Sequence, residues 1–169
     1  THKVLINNRI RARDKLPSPI VFDIAAEMAA VEEQGEAHLA IVWDFKSAHR
    51  LIQVDPRDWG LQACTLADLR GEPPKPEDAI LLNTVGTFGF STAGYWWGRL
   101  ARMLIRGAHY LLGWELRAWI LPFADDGKMI MPASSFKRII PAIFALFGAL
   151  CIPIKWFKVT GGVQFQWIG

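Results

Sequence analysis

The chain has 169 residues, enough for one domain or a large piece of one; half of it is apolar (51%), so it can bury a core and is not a disordered tail. Two distant cysteines, Cys64 and Cys151, exclude a disulfide framework and a C-x-x-C zinc site, and fit a reducing, intracellular compartment. Net charge is only +3, and the four histidines (His2, His38, His49, His109) show no metal-ligand spacing. The first residues, "THKVLINNRIRARDK", are polar and basic, without the apolar run of a signal peptide. Ser18-Pro19 reads as a helix start, a cap followed by a residue suited to the first turn. Val21, Ile24, Ala25, Met28 and Val31 then recur at helical spacing until Gly35 ends the run.

"HLAIVWD", residues 38–44, reads as a buried strand ending on an acid, with "FKSAHRLIQV" as a short helix after it. Asp55-Pro56 marks a turn, "WGLQACTL" a strand, "GEPPKPED" a surface loop, and "AILLNTV" a further strand closed by Gly86. Residues 91–113 are the strongest helix, with Ala93, Trp96, Leu100, Met103, Leu104 and Leu111 on one side. Arg99, Arg102 and Arg106 form a basic stripe on it, suited either to solvent or to a nucleic-acid backbone. A strand follows from about Glu115 to Phe123, then an acidic turn, then a return strand to about Met131. Ser134 or Ser135 caps the next helix, which Pro141 kinks, and "VQFQWIG" closes the chain as a short strand. Alternating strands and helices with hairpins among them define an α+β fold: an antiparallel sheet with helices packed on one face.

Charge is unevenly spread. Residues 1–16 carry five basic groups against one acid, residues 17–80 hold twelve of the sixteen acids, and no acid follows Asp126. A basic arm and tail around an acidic middle suit a polyanion partner with metal ions between, while ordinary surface solvation explains the same counts. Residues 139–154 form a sixteen-residue stretch without charge, and mean hydropathy is +0.18. This stretch is shorter than the roughly 18–20 residues of a membrane span and contains two prolines, so it reads as a core helix, with no membrane partner. Of the eight tryptophans, Trp96 and Trp97 fit core packing by their helical register. Stacking of single-stranded bases is the alternative use, most open for Trp167.

Asp125 and Asp126 sit between two apolar runs in "ILPFADDGKMIMP", and Asp126-Gly127 is a hairpin signal because glycine accepts the positive φ of a tight turn. A solvated turn explains the acids taken alone. Asp44 changes the weighing, because it ends an equally apolar strand. Carboxylates meeting at neighbouring strand ends repel one another unless a cation intervenes, and hard oxygen ligands suit Mg²⁺. Two such ions stabilise the attacking and leaving oxygens of an in-line phosphoryl transfer.

The boxes together resemble the reverse transcriptases of retroelements. "IVWDFKSAHRLIQVDPRD" is similar to their first catalytic motif, "TVGTFGFSTAGYWWGRL" to the Phe-Gly turn and long helix of the second, and "PFADDGK" to the Tyr-x-Asp-Asp box. "IPIKWFK" and "VQFQWIG" resemble the lysine-bearing fourth motif and the grip that follows it, in the same order from about residue 38 to the end. The resemblance implies a polymerase palm over 38–169, with residues 1–37 as the end of a fingers-like region and no thumb. It implies DNA synthesis on an RNA or DNA template with a primer, from deoxynucleoside triphosphates, within a retrotransposon-type polyprotein.

Under that resemblance Asp44 and Asp125 are the main Mg²⁺ ligands and Asp126 the third acid, with Mn²⁺ able to substitute. The carbonyl of Phe45 is a further ligand. Gly89 lets the backbone approach nucleotide or template, and Lys158 stands near the triphosphate. Trp167, Ile168 and Gly169 belong to the primer grip. Three positions depart from the family: Phe123 replaces the usual Tyr of the box, Phe88 stands where Pro or Gln is common, and His49 stands where Tyr or Phe usually blocks the ribose 2′-hydroxyl. A degenerate or domesticated remnant that binds nucleic acid without polymerising is the competing reading. Intact Asp44, Asp125 and Asp126 speak for the enzyme, and His49 and the missing thumb for the remnant.

Overall fold

The computed structural model describes residues 7, 10–65, 67, 71, 73, 75, 79–113 and 117–164. The chain divides into two compact units, Thr1–Lys15 with Ala48–Trp97, and Leu16–Ser47 with Gly98–Gly169.

The second unit holds a four-stranded antiparallel sheet. Its strands are β1 (His38–Asp44), β4 (Trp119–Phe123), β5 (Asp126–Pro132) and β6 (Thr160–Gly162), in the order β4-β5-β1-β6. The mixed α/β class with an antiparallel sheet and helices is the one expected from the sequence. The closing strand lies earlier than expected: Val163 and Gln164 form a bend, and 165–169 fall outside the described residues. The β4 strand starts at Trp119 rather than near Glu115, which also falls outside them.

Alternation along β1 and β5 places Trp43, Met129 and Met131 on one face. Helix α3 (Phe136–Ala149) covers that face with Ile139, Ile143 and Phe147, a row at four-residue spacing. Phe147 packs 5.8 Å from Trp43 and 5.5 Å from Phe45, ring centre to ring centre. Each such side chain gains about 1.5–3 kcal/mol from leaving water, which gives the row its hold. The helix therefore continues through Pro141 although proline has no N–H for the Lys137 carbonyl. Ser135 takes the cap position through its carbonyl, which accepts from the N–H groups of Arg138 and Ile139, and its side chain makes no capping bond. The Ser134 hydroxyl donates instead to Glu36.

Helix α1 (Val21–Gln34) starts two residues after Pro19, because the Asp23 carboxylate reaches back 2.7 Å to the N–H of Ile20. Gly35, at φ 64°, ends it as expected. Its buried face is not the apolar one: Val21 and Phe22 are 77% and 78% exposed, Met28 is also exposed, and the fully buried residue is Glu27. Glu27 forms an ion pair with Lys128 of β5, itself buried. A buried ammonium without a partner costs several kcal/mol, so Lys128 sets the rotation of α1 in place of the apolar periodicity.

Helix α2 (Ser91–Leu112) starts in the first unit and ends in the second. It buries Ala93, Trp97, Ala101, Leu104, Ala108 and Leu112, a row in which alanines permit close approach. Trp96, Met103 and Leu111 face outward, against the expectation from periodicity. Of the basic stripe, Arg102 donates to the carbonyl of Pro17.

In the first unit β2 (Ala63–Thr65) and β3 (Ile80–Leu82) form a short antiparallel pair. Residues 56–62 are a 3-10 helix rather than the start of the expected strand. Pro56 presets its first turn, and the Asp55 carboxylate accepts from the N–H of Arg57 at 2.9 Å. A second 3-10 helix, Ala48–Leu51, is all that forms of the helix expected over 45–54. Among the described residues no helix is long and apolar enough to cross a membrane.

Candidate active site at the ends of β1 and β5

Antiparallel pairing brings the end of β1 to the start of β5, and Asp44 faces Asp126 directly in the register. Phe123 pairs with Asp126, so the turn between β4 and β5 is Ala124-Asp125, with Ala124 at φ 49°. The carbonyl of Asp125 accepts from the N–H of Phe45 at 2.8 Å, which ties the turn to the chain leaving β1. The expected Asp126-Gly127 turn is thus displaced by two residues. Gly127 lies inside β5, opposite Trp43, where an added Cβ would stand 2.2 Å from the indole ring. The glycine admits a buried tryptophan; it does not make the turn.

Two lysines close on this end of the sheet. Lys158 donates to Asp44 Oδ2 at 2.7 Å; Lys155 donates to the same oxygen at 2.9 Å, and its Nζ lies 2.7 Å from Oδ1. Asp44 Oδ1 is buried and receives no aligned hydrogen bond. The backbone holds the lysine segment in place: Lys155 N–H donates to the Asp44 carbonyl at 2.9 Å, Lys46 N–H donates to the Pro153 carbonyl at 2.8 Å, and Phe45 bridges Ile154. The 3-10 turn Trp156–Lys158 then returns the second ammonium to the first one's carboxylate. Sequence reasoning missed Lys155. Its signal was present in "KWFK", two lysines three residues apart, the eclipsed spacing of a 3-10 turn.

Burial pushes the Asp44 carboxyl up, but hydrogen bonds and charge from Lys155 and Lys158 outweigh it and hold the group below the ordinary aspartate value. Asp126 is raised, first by burial and then by the charges of Asp125 and Asp44, with the two lysines opposing. Lys158 is raised by its hydrogen bond to Asp44 and by the three acids around it. The acids thus form one electrostatic group with the lysines as counter-charges.

Mg²⁺ was expected here. The donor chemistry is suitable, since all three side chains offer hard oxygens. The arrangement is not: Asp44 is engaged by two ammonium groups, and among the described residues no three acidic, histidine or cysteine side chains are gathered to hold a metal ion. In this state the side chains do not fit a resident metal.

Asp44, Phe45, Asp125, Asp126 and Lys158 all belong to the second unit, while His49 and Gly89 belong to the first. Phe45 is fully buried in the aromatic cluster. His49 packs edge-on against Phe88, ring centres 5.6 Å apart, and its carbonyl is where a Cβ on Gly86 would collide, at 2.3 Å. Gly89 adopts φ 91°, and its carbonyl accepts from the Asn7 side chain at 2.6 Å. The primer-grip residues Trp167, Ile168 and Gly169 lie outside the described residues.

No family model matches the chain, and no curated protein does. Solved structures do share its fold, and they define its class: a reverse-transcriptase-like polymerase fold. One is apo telomerase from Candida tropicalis, truncated from its C-terminal domain, with a TM-score of 0.58 at 10% identity, covering 85% of this chain and 35% of that one. Another is telomerase from Candida albicans in complex with a TWJ fragment of telomeric RNA, with a TM-score of 0.54 at 10% identity, covering 89% of this chain and 31% of that one. The chain therefore spans about a third of each telomerase chain.

Proposed function

We propose that this chain is the palm of a reverse transcriptase of the retroelement type, adding deoxynucleotides to a primer on an RNA or DNA template. Residues 38–169 would be the palm and 1–37 the end of a fingers-like region. The observation that carries the reading is the pairing of Asp44 with Asp126 at adjoining strand ends, with Asp125 in the turn beside them, on a polymerase-like sheet. The RNA in the Candida albicans telomerase complex supports a nucleic-acid partner. Asp44, Asp125 and Asp126 concentrate negative charge where divalent cations (Mg²⁺, or Mn²⁺ in its place) would be taken, and bound ions would supply charge neutralisation for phosphoryl transfer. Lys158 meets phosphate oxygens, His49 with Phe88 limits room at the ribose, Gly89 admits close backbone approach, and Trp167–Gly169 grip the primer.

The engagement of Asp44 by two lysines favours one second reading, a remnant that binds nucleic acid without polymerising. Primer extension separates the two. Deoxynucleotide incorporation that is lost in Asp44→Asn and Asp125→Asn supports the polymerase. Salt-sensitive nucleic-acid binding with no incorporation in either Mg²⁺ or Mn²⁺ supports the remnant.

A further inference from the structure

Resting on the polymerase reading, we propose that Lys155 and Lys158 are a removable lock on Asp44: the acid cluster takes a divalent cation only when a polyphosphate draws the two ammonium groups away. Lys155 then joins Lys158 as a second polyphosphate-binding residue.

Three features carry this. The first is occupancy. Both ammonium groups sit within 2.9 Å of the Asp44 carboxylate, so a cation entering there displaces two ion pairs at once. Two positive charges beside three carboxylates also cancel most of the attraction a metal would feel.

The second is reach. The bases of the two side chains are fixed by backbone bonds to Asp44 and within the 3-10 turn, while the ammonium groups end flexible stems. Lys158 is 52% exposed and Lys155 27%, so both open to solvent from the same side chain cluster whose Asp44 is 6% exposed. An anion arriving from solvent meets the lysines before it meets the acid. A triphosphate carries more charge than one carboxylate and outcompetes it for both.

The third is the residue left behind. Asp44 Oδ1 is buried and lacks an aligned hydrogen bond even with the lysines in place. Removing them leaves a desolvated carboxylate opposite Asp126, a state that costs free energy unless a cation arrives. Anion and cation binding are therefore coupled, and the coupling is reciprocal.

The test is Mn²⁺ binding to the 169-residue chain, read by loss of the free-ion EPR signal. Lys155→Met and Lys158→Met should each tighten Mn²⁺ binding, and the double variant by about tenfold or more. Lys137→Met, an exposed lysine on α3, should leave it unchanged, and Asp44→Asn added to the double variant should remove the gain. In EDTA, calorimetric binding of inorganic tripolyphosphate should weaken in both single variants. Circular dichroism confirms that each variant is folded, and the half-exposed Lys158→Met keeps the test open if the double variant is not. Mn²⁺ binding in the lysine variants no tighter than wild type, or tripolyphosphate binding indifferent to both lysines, overturns the lock. If the wild type extends primers and binds Mn²⁺ as tightly as the double variant, the lock falls and the polymerase reading stands. If no form binds Mn²⁺ and none extends a primer, both fall.

Discussion

Gly127 and Trp43 are cross-strand partners, and the indole fills the space that any side chain at 127 would need. The nearest ring atoms are 2.2, 2.4 and 2.6 Å from an added Cβ, and Trp43 is 2% exposed with Phe45, Phe144 and Phe147 against it. Neither partner has room to yield. Gly127→Ala is expected to cost about 1–3 kcal/mol or more, read as a lower urea midpoint. Trp43→Leu in that background should cost less than it does in the wild type. Equal costs in the two backgrounds would show that the two positions do not compete for the same space.

Glu27 and Lys128 are the second pair to probe. Truncating one partner, Glu27→Ala, leaves a buried ammonium and should cost about 3–5 kcal/mol. Replacing both, Glu27→Leu with Lys128→Met, should recover most of that loss. Glu27 Oε1 has no hydrogen-bond partner, so the native pair is incompletely satisfied and the apolar swap has little to lose. Equilibrium unfolding of the two singles and the double gives the coupling directly.

Stability should depend on pH through the lysine–aspartate cluster. The Asp44 carboxyl is lowered on folding, so its contribution is present above the unfolded value of about 3.9 and fades as pH falls through the lower folded value. Lys158 is raised, so its contribution is present below about 10.4 and fades as pH rises through the higher folded value. The stability difference between wild type and Asp44→Asn should be flat near neutrality and shrink at both extremes. A difference that stays constant down to pH 2 would mean that the carboxylate charge contributes nothing.

Asp126 has the opposite sign. Burial and the neighbouring acids raise its carboxyl, so the ionised form opposes folding above its unfolded value. Asp126→Asn should raise the melting temperature at pH 7 and lower it relative to wild type at acid pH, where the native carboxyl is already neutral. The same variant should lose deoxynucleotide incorporation. Gain of stability with loss of activity is the pattern of a residue kept for chemistry.

The sheet and its acids were legible because their signals are local: β1 and β5 are apolar runs, and each places an acid at a strand end. The faces of α1 and α2 were not. Glu27 is buried because Lys128, a hundred residues away, needs a counter-charge, and Trp97 displaces Trp96 inward because alanines at 101 and 108 let the helix approach along that side. Residues 56–62 misled because apolar content suggested a strand while Asp55 and Pro56 had already set a 3-10 turn. Lys155 was missed because the family resemblance directs attention to a single lysine, Lys158. What assigns Lys155 a role is its ion pair with Asp44, a contact 111 residues distant in sequence.

The notch at Gly127 also governs what length changes this hairpin can bear. Side chains alternate faces along a strand, so sliding β5 by one residue would carry Asp126 and Lys128 to the α3 side and turn Met129 and Met131 away from it. The same slide would bring Asp126 or Lys128 against the Trp43 indole, where only a glycine fits. The alignment of the acids is thus policed by bulk as well as by hydrophobicity. Substitutions at Ala124 leave that alignment intact, whereas inserting or deleting one residue between Phe123 and Asp126 pits turn closure against the tryptophan's seat. Insertions and deletions there should be far rarer among functional variants than exchanges of one residue for another.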